Sequence, residues 1–232
     1  MISPELVMLV SAPVVAAVIG AAVSTYIQPS RRVVSGIRHF AAGVVFAAAA
    51  AEILPDVLHG GSPVFATIVG GAAGLVLMLA VKQAGGWISG PTGLTVAIGI
   101  DLLVDGLVLG VALQAAGTAG LLLAIALTIE VLSLGLAITS SLSERWTSRS
   151  KVVALVGGLA LMLPIGAALA TPVSLLPGVY FTSILALALV ALLYLVTEEL
   201  LVEAHEIEDT PVITAMFFAG FLGLLVLEEL MG

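Results

Sequence analysis

Two aspartates, Asp101 and Asp105, stand four residues apart in the run Ile98-Gly99-Ile100-Asp101-Leu102-Leu103-Val104-Asp105-Gly106-Leu107-Val108-Leu109-Gly110. On a helix, residues i and i+4 share one face, a turn apart. The flanks are as apolar as a membrane span, where a carboxylate costs several kcal/mol unless it is protonated, paired or bound to a cation. Two adjacent carboxylates also repel each other when both are ionised. A metal ion or a proton is therefore expected to visit that face. The same residues also allow a blander arrangement, in which protonated carboxyls hydrogen-bond each other and lock the helices together.

Further acids lie in neighbouring apolar runs. Counting along the chain at ~1.5 Å per residue brings Glu130 to the depth of Asp101 and Asp105. Ser133 shares its helix face, and Ser140 follows. Three carboxylates at one depth on adjacent helices, Asp101, Asp105 and Glu130, thus make a candidate oxygen-ligand cage. Glu52 and Asp56 are again four apart, with Pro55 between them and His59 just beyond. They suit an outer vestibule that gathers cations, and equally an ordinary helix end whose charges reach water. Glu198, Glu199, Glu203 and His205 close a later run, and Glu206, Glu208 and Asp209 continue it. The outermost of these read as a solvated cap, while Glu199, still within apolar sequence, is expected to face a transport path. A membrane-surface role is enough for His39, beside Arg38, and Glu228 and Glu229 are expected in solvent.

The elements that must position these groups are membrane helices. The chain has 232 residues, 61% hydrophobic and only 9% charged, with a mean hydropathy of +1.27. Soluble domains are about a quarter charged. Cysteine is absent, which excludes disulfides and thiolate metal ligands. The formal charge of −8 is not a solvated acidic surface, because many acids lie within apolar segments. The first run lacks a basic n-region and a small-residue cleavage site, and is expected to be a retained helix.

A spanning helix needs about 20 apolar residues, and eight segments qualify: 4–27, 37–58, 63–83, 92–116, 118–143, 151–171, 175–205 and 210–231. Breaks are expected at Gln28-Pro29-Ser30, Gly60-Gly61-Ser62-Pro63, Gly85-Gly86 to Gly90-Pro91, Ala116-Gly117, Thr147-Ser148 and Asp209-Thr210-Pro211. All basic residues (Arg31, Arg32, Arg38, Lys82, Arg145, Arg149, Lys151) fall in or beside the first, third and fifth connections. With eight helices those connections share one side, which the positive-inside rule makes cytoplasmic, leaving both termini outside. Small residues, among them Gly70, Gly74, Gly106, Gly110 and Gly220, suit close helix packing. Pro164 is expected to kink the sixth helix. The expectation is an all-α polytopic membrane protein, residues 1–232 forming a single transmembrane domain.

The motifs carry a resemblance as well. Phe40-Ala41-Ala42-Gly43 followed by Glu52-Ile53-Leu54-Pro55-Asp56 resembles the second helix of the ZIP (Zrt/Irt-like) divalent-metal transporters. Glu198-Glu199-Leu200-Leu201-Val202-Glu203-Ala204-His205 is similar to their seventh-helix EELxPEAH, with Val202 in place of proline. Leu163-Pro164-Ile165-Gly166-Ala167 resembles their sixth-helix EPxGA, and Asp101 to Gly106 falls where they carry HNxxEG. The resemblance implies an eight-helix bundle with inverted repeats and both termini extracytoplasmic. It also implies departures at the metal site: Asp101 replaces a histidine, Leu102 an asparagine, Asp105 a bridging glutamate and Leu163 a glutamate. Aligned on Gly135, Glu130 keeps one ligand position, while Val131 and Leu134 replace others, so the family's second, adjacent metal position is lost. The connection 84–91 lacks a histidine-rich loop.

By this resemblance the chain is expected to carry a divalent cation of the zinc, manganese or iron class across the cytoplasmic membrane toward the cytosol. The metal would be gathered at Glu52 and Asp56, held at Asp101, Asp105, Glu130 and Ser133, and released past Glu199, Glu203 and His205. Oxygen ligands suit hard cations such as Mg²⁺ or Mn²⁺, although carboxylates also bind zinc and Fe²⁺. No enzymatic activity, resident cofactor or nucleic-acid partner is expected. The partners are the metal ion and the bilayer, with a homodimer left open. The alternative is a degenerate relative that senses metal or carries protons or another solute. A lipid-phosphate enzyme could use Asp-x-x-x-Asp to hold Mg²⁺, but it needs a second acidic motif and nearby basic residues. A paired-aspartate protease needs its acids on two separate helices.

Overall fold

A computed structural model describes residues 4–87, 91–114, 119–143, 148–208 and 210–231. Among these there are no strands, and eight helices are long and apolar enough to cross a membrane. They are α1 (Pro4–Tyr26), α2 (Arg31–His59), α3 (Val64–Trp87), α4 (Pro91–Ala112), α5 (Ala119–Ser143), α6 (Arg149–Ala160 and Met162–Leu169), α7 (Gly178–Ala204) and α8 (Pro211–Met231). The chain is a multi-pass membrane protein. The expected break at Ala116-Gly117, Gly90, Thr147, Arg145, Asp209 and the side chain of Ser140 lie outside the described residues.

Local chemistry sets the ends. Gln28 takes a positive φ of 53° where α1 closes, and Pro29 cannot continue the helix. Ser30 then caps α2, its hydroxyl accepting from the Val33 N–H at 3.4 Å. The cap starts α2 at Arg31, six residues before its apolar stretch, so hydropathy alone placed this end too late. Likewise α3 runs through Gly85 and Gly86 to Trp87. Thr210 caps α8, accepting from the Ile213 N–H at 3.3 Å, with Pro211 in the first turn where its missing N–H costs nothing. The kink expected at Pro164 is a break at Leu161: proline has no N–H to offer the Ala160 carbonyl. Two features had no sequence signal. Both α2 and α7 contain a π-turn, Ala49–Ile53 and Leu195–Leu200, closed by N–H groups of Leu54 and Leu201 reaching the carbonyls of Ala49 and Val196.

The helices pack most closely in four pairs: α1 with α5, α2 with α8, α3 with α7, and α4 with α6. At least half of each of α2, α4, α5 and α7 is buried, against less than half of the other four. The inner four carry every acid near mid-helix. Without a hydrophobic force between helices in lipid, close backbone approach holds such pairs together. A Cβ on Gly106 of α4 would overlap the Leu163 carbonyl oxygen of α6, and one on Gly166 would overlap that of Leu103. Gly106→Ala is therefore expected to lower stability by about 1–3 kcal/mol. Gly158, with nothing within 4 Å, should accept alanine without loss. Thermal unfolding of both variants in detergent checks the contrast.

Candidate metal site

Asp101 and Asp105 project from the middle of α4, and Glu130 and Ser133 from the middle of α5. Their exposures are 8%, 3%, 1% and 0%. One carboxylate oxygen of each of Asp101, Asp105 and Glu130 lies within 4.8 Å of the others. Two oxygens bound to one ion at about 2.1 Å are about 3–4 Å apart, so a small inward movement would seat a divalent cation. The structure thus brings together Asp101 and Asp105, singled out by spacing, and Glu130, singled out by depth.

Their hydrogen-bonding state is informative. Elsewhere in the bundle, hydroxyls donate to the carbonyl one turn back: Thr25 to Ala21, Thr128 to Ala124, Ser183 to Val179 and Thr197 to Leu193. Ser133 Oγ makes no such bond. Asp101 Oδ1, Asp105 Oδ2 and Glu130 Oε2 are likewise buried without a hydrogen-bond partner. Buried polar atoms are rarely left so. Four unpartnered oxygens on two facing helices fit the donor set of a hard cation.

The surrounding charge is uniformly negative. The charged neighbours acting on Asp101 are Asp105, Glu199 and Glu203; on Asp105, Glu130 and Glu199; on Glu130, Asp101, Glu199 and Glu203. Among the described residues no lysine or arginine balances them. Two ionised carboxylates near 4 Å repel by about 4 kcal/mol at an effective dielectric constant of ~20. A divalent ion would reverse that energy.

From the triad an acidic line leads to the end of the bundle where the basic residues gather. Glu199, half-buried in the π-turn of α7, has Glu203 and Lys82 as its charged neighbours. Glu203 follows, held by Arg38 of α2 through a 2.7 Å ion pair and a 3.1 Å bond from Nη1 to the Glu203 carbonyl. Ser35 Oγ donates to the Ala204 carbonyl at 2.7 Å. His205 caps α7, exposed, its ring edge-on to that of His39 at 4.9 Å. His39, for which a membrane-surface role was enough, is drawn into the bundle. It lies buried in the third turn of α2, with Nδ1 3.0 Å from the Ser35 carbonyl.

Glu52 and Asp56 sit toward the opposite end and do not join the triad. Glu52 lies within the π-turn of α2, 8% exposed, with Oε1 unpartnered. Its charged neighbours are Glu228 and Asp56. Glu228, expected in solvent, is half-buried beside Glu52, because the close packing of α2 on α8 draws their ends together. Glu229 is exposed, as expected, and exposed His59 has Nδ1 2.9 Å from the Pro55 carbonyl. Sequence reasoning missed the roles of Arg38 and Glu228, whose partners lie far along the chain and leave no local signal. No protein-family model and no curated protein matches this chain.

Proposed function

We propose that this chain is a ZIP-like transporter that moves a divalent metal cation of the zinc, manganese or iron class across the cytoplasmic membrane toward the cytosol. The observation that carries this reading is the buried triad Asp101, Asp105 and Glu130, converging with unpartnered oxygens and, among the described residues, without a basic partner. A structural lock would be expected to satisfy its own hydrogen bonds; a site for a passing cation leaves them open.

The rest of the bundle supports a path. Glu52, Asp56 and Glu228 would gather the ion, the triad and Ser133 would hold it after it sheds water, and Glu199, Glu203 and His205 would receive it. The positive-inside rule makes the basic end cytoplasmic, with both termini outside. Exchanging α1 with α6, α2 with α7, α3 with α8 and α4 with α5 maps the four close pairs onto one another and one π-turn onto the other. That correspondence supports an inverted repeat.

By the resemblance, the pairs would group into two bodies, α1, α4, α5 and α6 against α2, α3, α7 and α8. Among the described residues, every glycine whose added Cβ would overlap a neighbouring helix's backbone, such as Gly20 on Leu132 or Gly43 on Phe217, meets a partner within its own body. Among the described residues, no glycine contact of this kind crosses between the bodies, which suits sliding. The triad rides on the first body, and Glu52, Asp56, Glu199 and Glu203 line the second.

The test is uptake into proteoliposomes containing the purified chain, with Mn²⁺, Fe²⁺ and Zn²⁺ offered separately. Saturable, metal-dependent flux is expected. Metal binding without flux would make the chain a sensor, and flux indifferent to metal would point to a carrier of protons or another solute.

A further inference from the structure

The lipid-facing side of α3 and α7 holds a feature that the transport path does not use. The glycine contact between these helices ends with Gly74 against Leu187. Just beyond, toward the basic end, they enclose an open groove of about 430 Å³. Its floor is Leu75, Leu79, Val190 and Leu193, and its polar end is Lys82, Tyr194, Thr197 and Glu198. Lys82 Nζ lies 3.2 Å from Glu198 Oε2 and 5.7 Å from the centre of the Tyr194 ring. Both charged side chains are half exposed, at 55% and 51%, which leaves the ammonium with spare donors and the carboxylate with spare acceptors.

We propose that this groove binds a phospholipid with a primary-amine zwitterionic headgroup, phosphatidylethanolamine. An acyl chain would lie along Leu75, Leu79, Val190 and Leu193. The lipid phosphate would accept from Lys82, and the lipid ammonium would donate to Glu198. The charge pattern selects this occupant. A lysine alone would favour any anionic headgroup, but Glu198 beside it repels a second negative charge and keeps a spare acceptor for a further donor. Phosphatidylcholine brings a cation with no N–H to donate, and phosphatidylglycerol brings no cation. Lys82 stands five residues before the end of α3, about 7.5 Å, so its stem runs along the apolar groove while its head reaches headgroup depth. The buried ring of Tyr194 closes this end of the groove beside the Lys82 ammonium.

The experiment is native mass spectrometry of the purified full chain after exchange into equal mixtures of the three lipids. Retention of phosphatidylethanolamine is expected to exceed that of either other lipid by about threefold to tenfold, the worth of one charge-assisted hydrogen bond at a partly exposed site. Lys82→Ala and Glu198→Gln should each bring it down to the phosphatidylcholine level. If Lys82→Ala does not fold, Glu198→Gln carries the test, since it changes one exposed atom. Equal retention of all three lipids would mean ordinary boundary lipid and overturn the proposal. Preferred retention of phosphatidylglycerol, strengthened by Glu198→Gln, would mean a simple anion site and overturn it too. The outcome does not depend on transport.

Discussion

Asp105→Asn is expected to lower metal uptake by about a hundredfold to a thousandfold. The substitution keeps shape and removes one of the charges that would neutralise a cation in a buried site. Breaking a buried charge pair costs about 3–5 kcal/mol, and each 1.4 kcal/mol is about a factor of ten. Asp101→Asn and Glu130→Gln should behave alike, because all three oxygens converge within 4.8 Å. Ser133→Ala should cost far less, about threefold to tenfold, because a neutral hydroxyl contributes only about 0.5–1.5 kcal/mol. Initial rates of Mn²⁺ uptake into proteoliposomes give the ranking. Undiminished transport in Asp101→Asn and Asp105→Asn would remove the proposed site.

The same variants should be more stable than wild type without metal. Each replaces one member of a cluster of acids that repel when ionised and find no basic partner among the described residues. In a chain of this size each kcal/mol of relieved repulsion raises the unfolding temperature by about 2–4 °C. Added metal should stabilise wild type and leave the variants unchanged, since ligand binding to the folded state alone raises its stability. Lost transport together with gained metal-free stability distinguishes a binding site from a structural lock, whose disruption would lower both.

The triad was legible in the sequence because membrane burial makes carboxylates conspicuous. Asp101, Asp105 and Glu130 stand in runs with no other charge, and i, i+4 spacing fixes their common face. The break below Pro164 was legible for an equally local reason, the missing N–H. What stayed hidden is either non-periodic or non-local. A π-turn inserts extra backbone without a sequence signature, so the surroundings of Glu52 and Glu199 could not be read from spacing. The Arg38–Glu203 pair joins residues 165 apart in the chain. Which four helices lie inside follows from pairing through Gly106, Gly135 and Gly220, and small residues mark a contact without naming its partner. The start of α2 was misread because Arg31 and Arg32 look like a loop, while the Ser30 cap makes them helical.

Metal affinity is expected to fall as the medium becomes more acidic, by about tenfold per pH unit for each proton displaced on binding. The direction follows from the ligand set. A protonated carboxyl must lose its proton before both of its oxygens face a cation, so protons and metal compete for Asp101, Asp105 and Glu130. Raising pH should strengthen binding until the ligands are already deprotonated, where the dependence levels off. The measurement is the KM for Mn²⁺ uptake across a pH series, with equal pH on both faces of the vesicle so that no proton gradient contributes. Glu130→Gln, with one fewer group to titrate, should show a shallower slope as well as a higher KM. A KM independent of pH would mean that the acids do not touch the cargo. A KM that improves toward acid would mean that a proton must be present at the site when the metal binds, which three acidic ligands with no basic neighbour among the described residues would oppose.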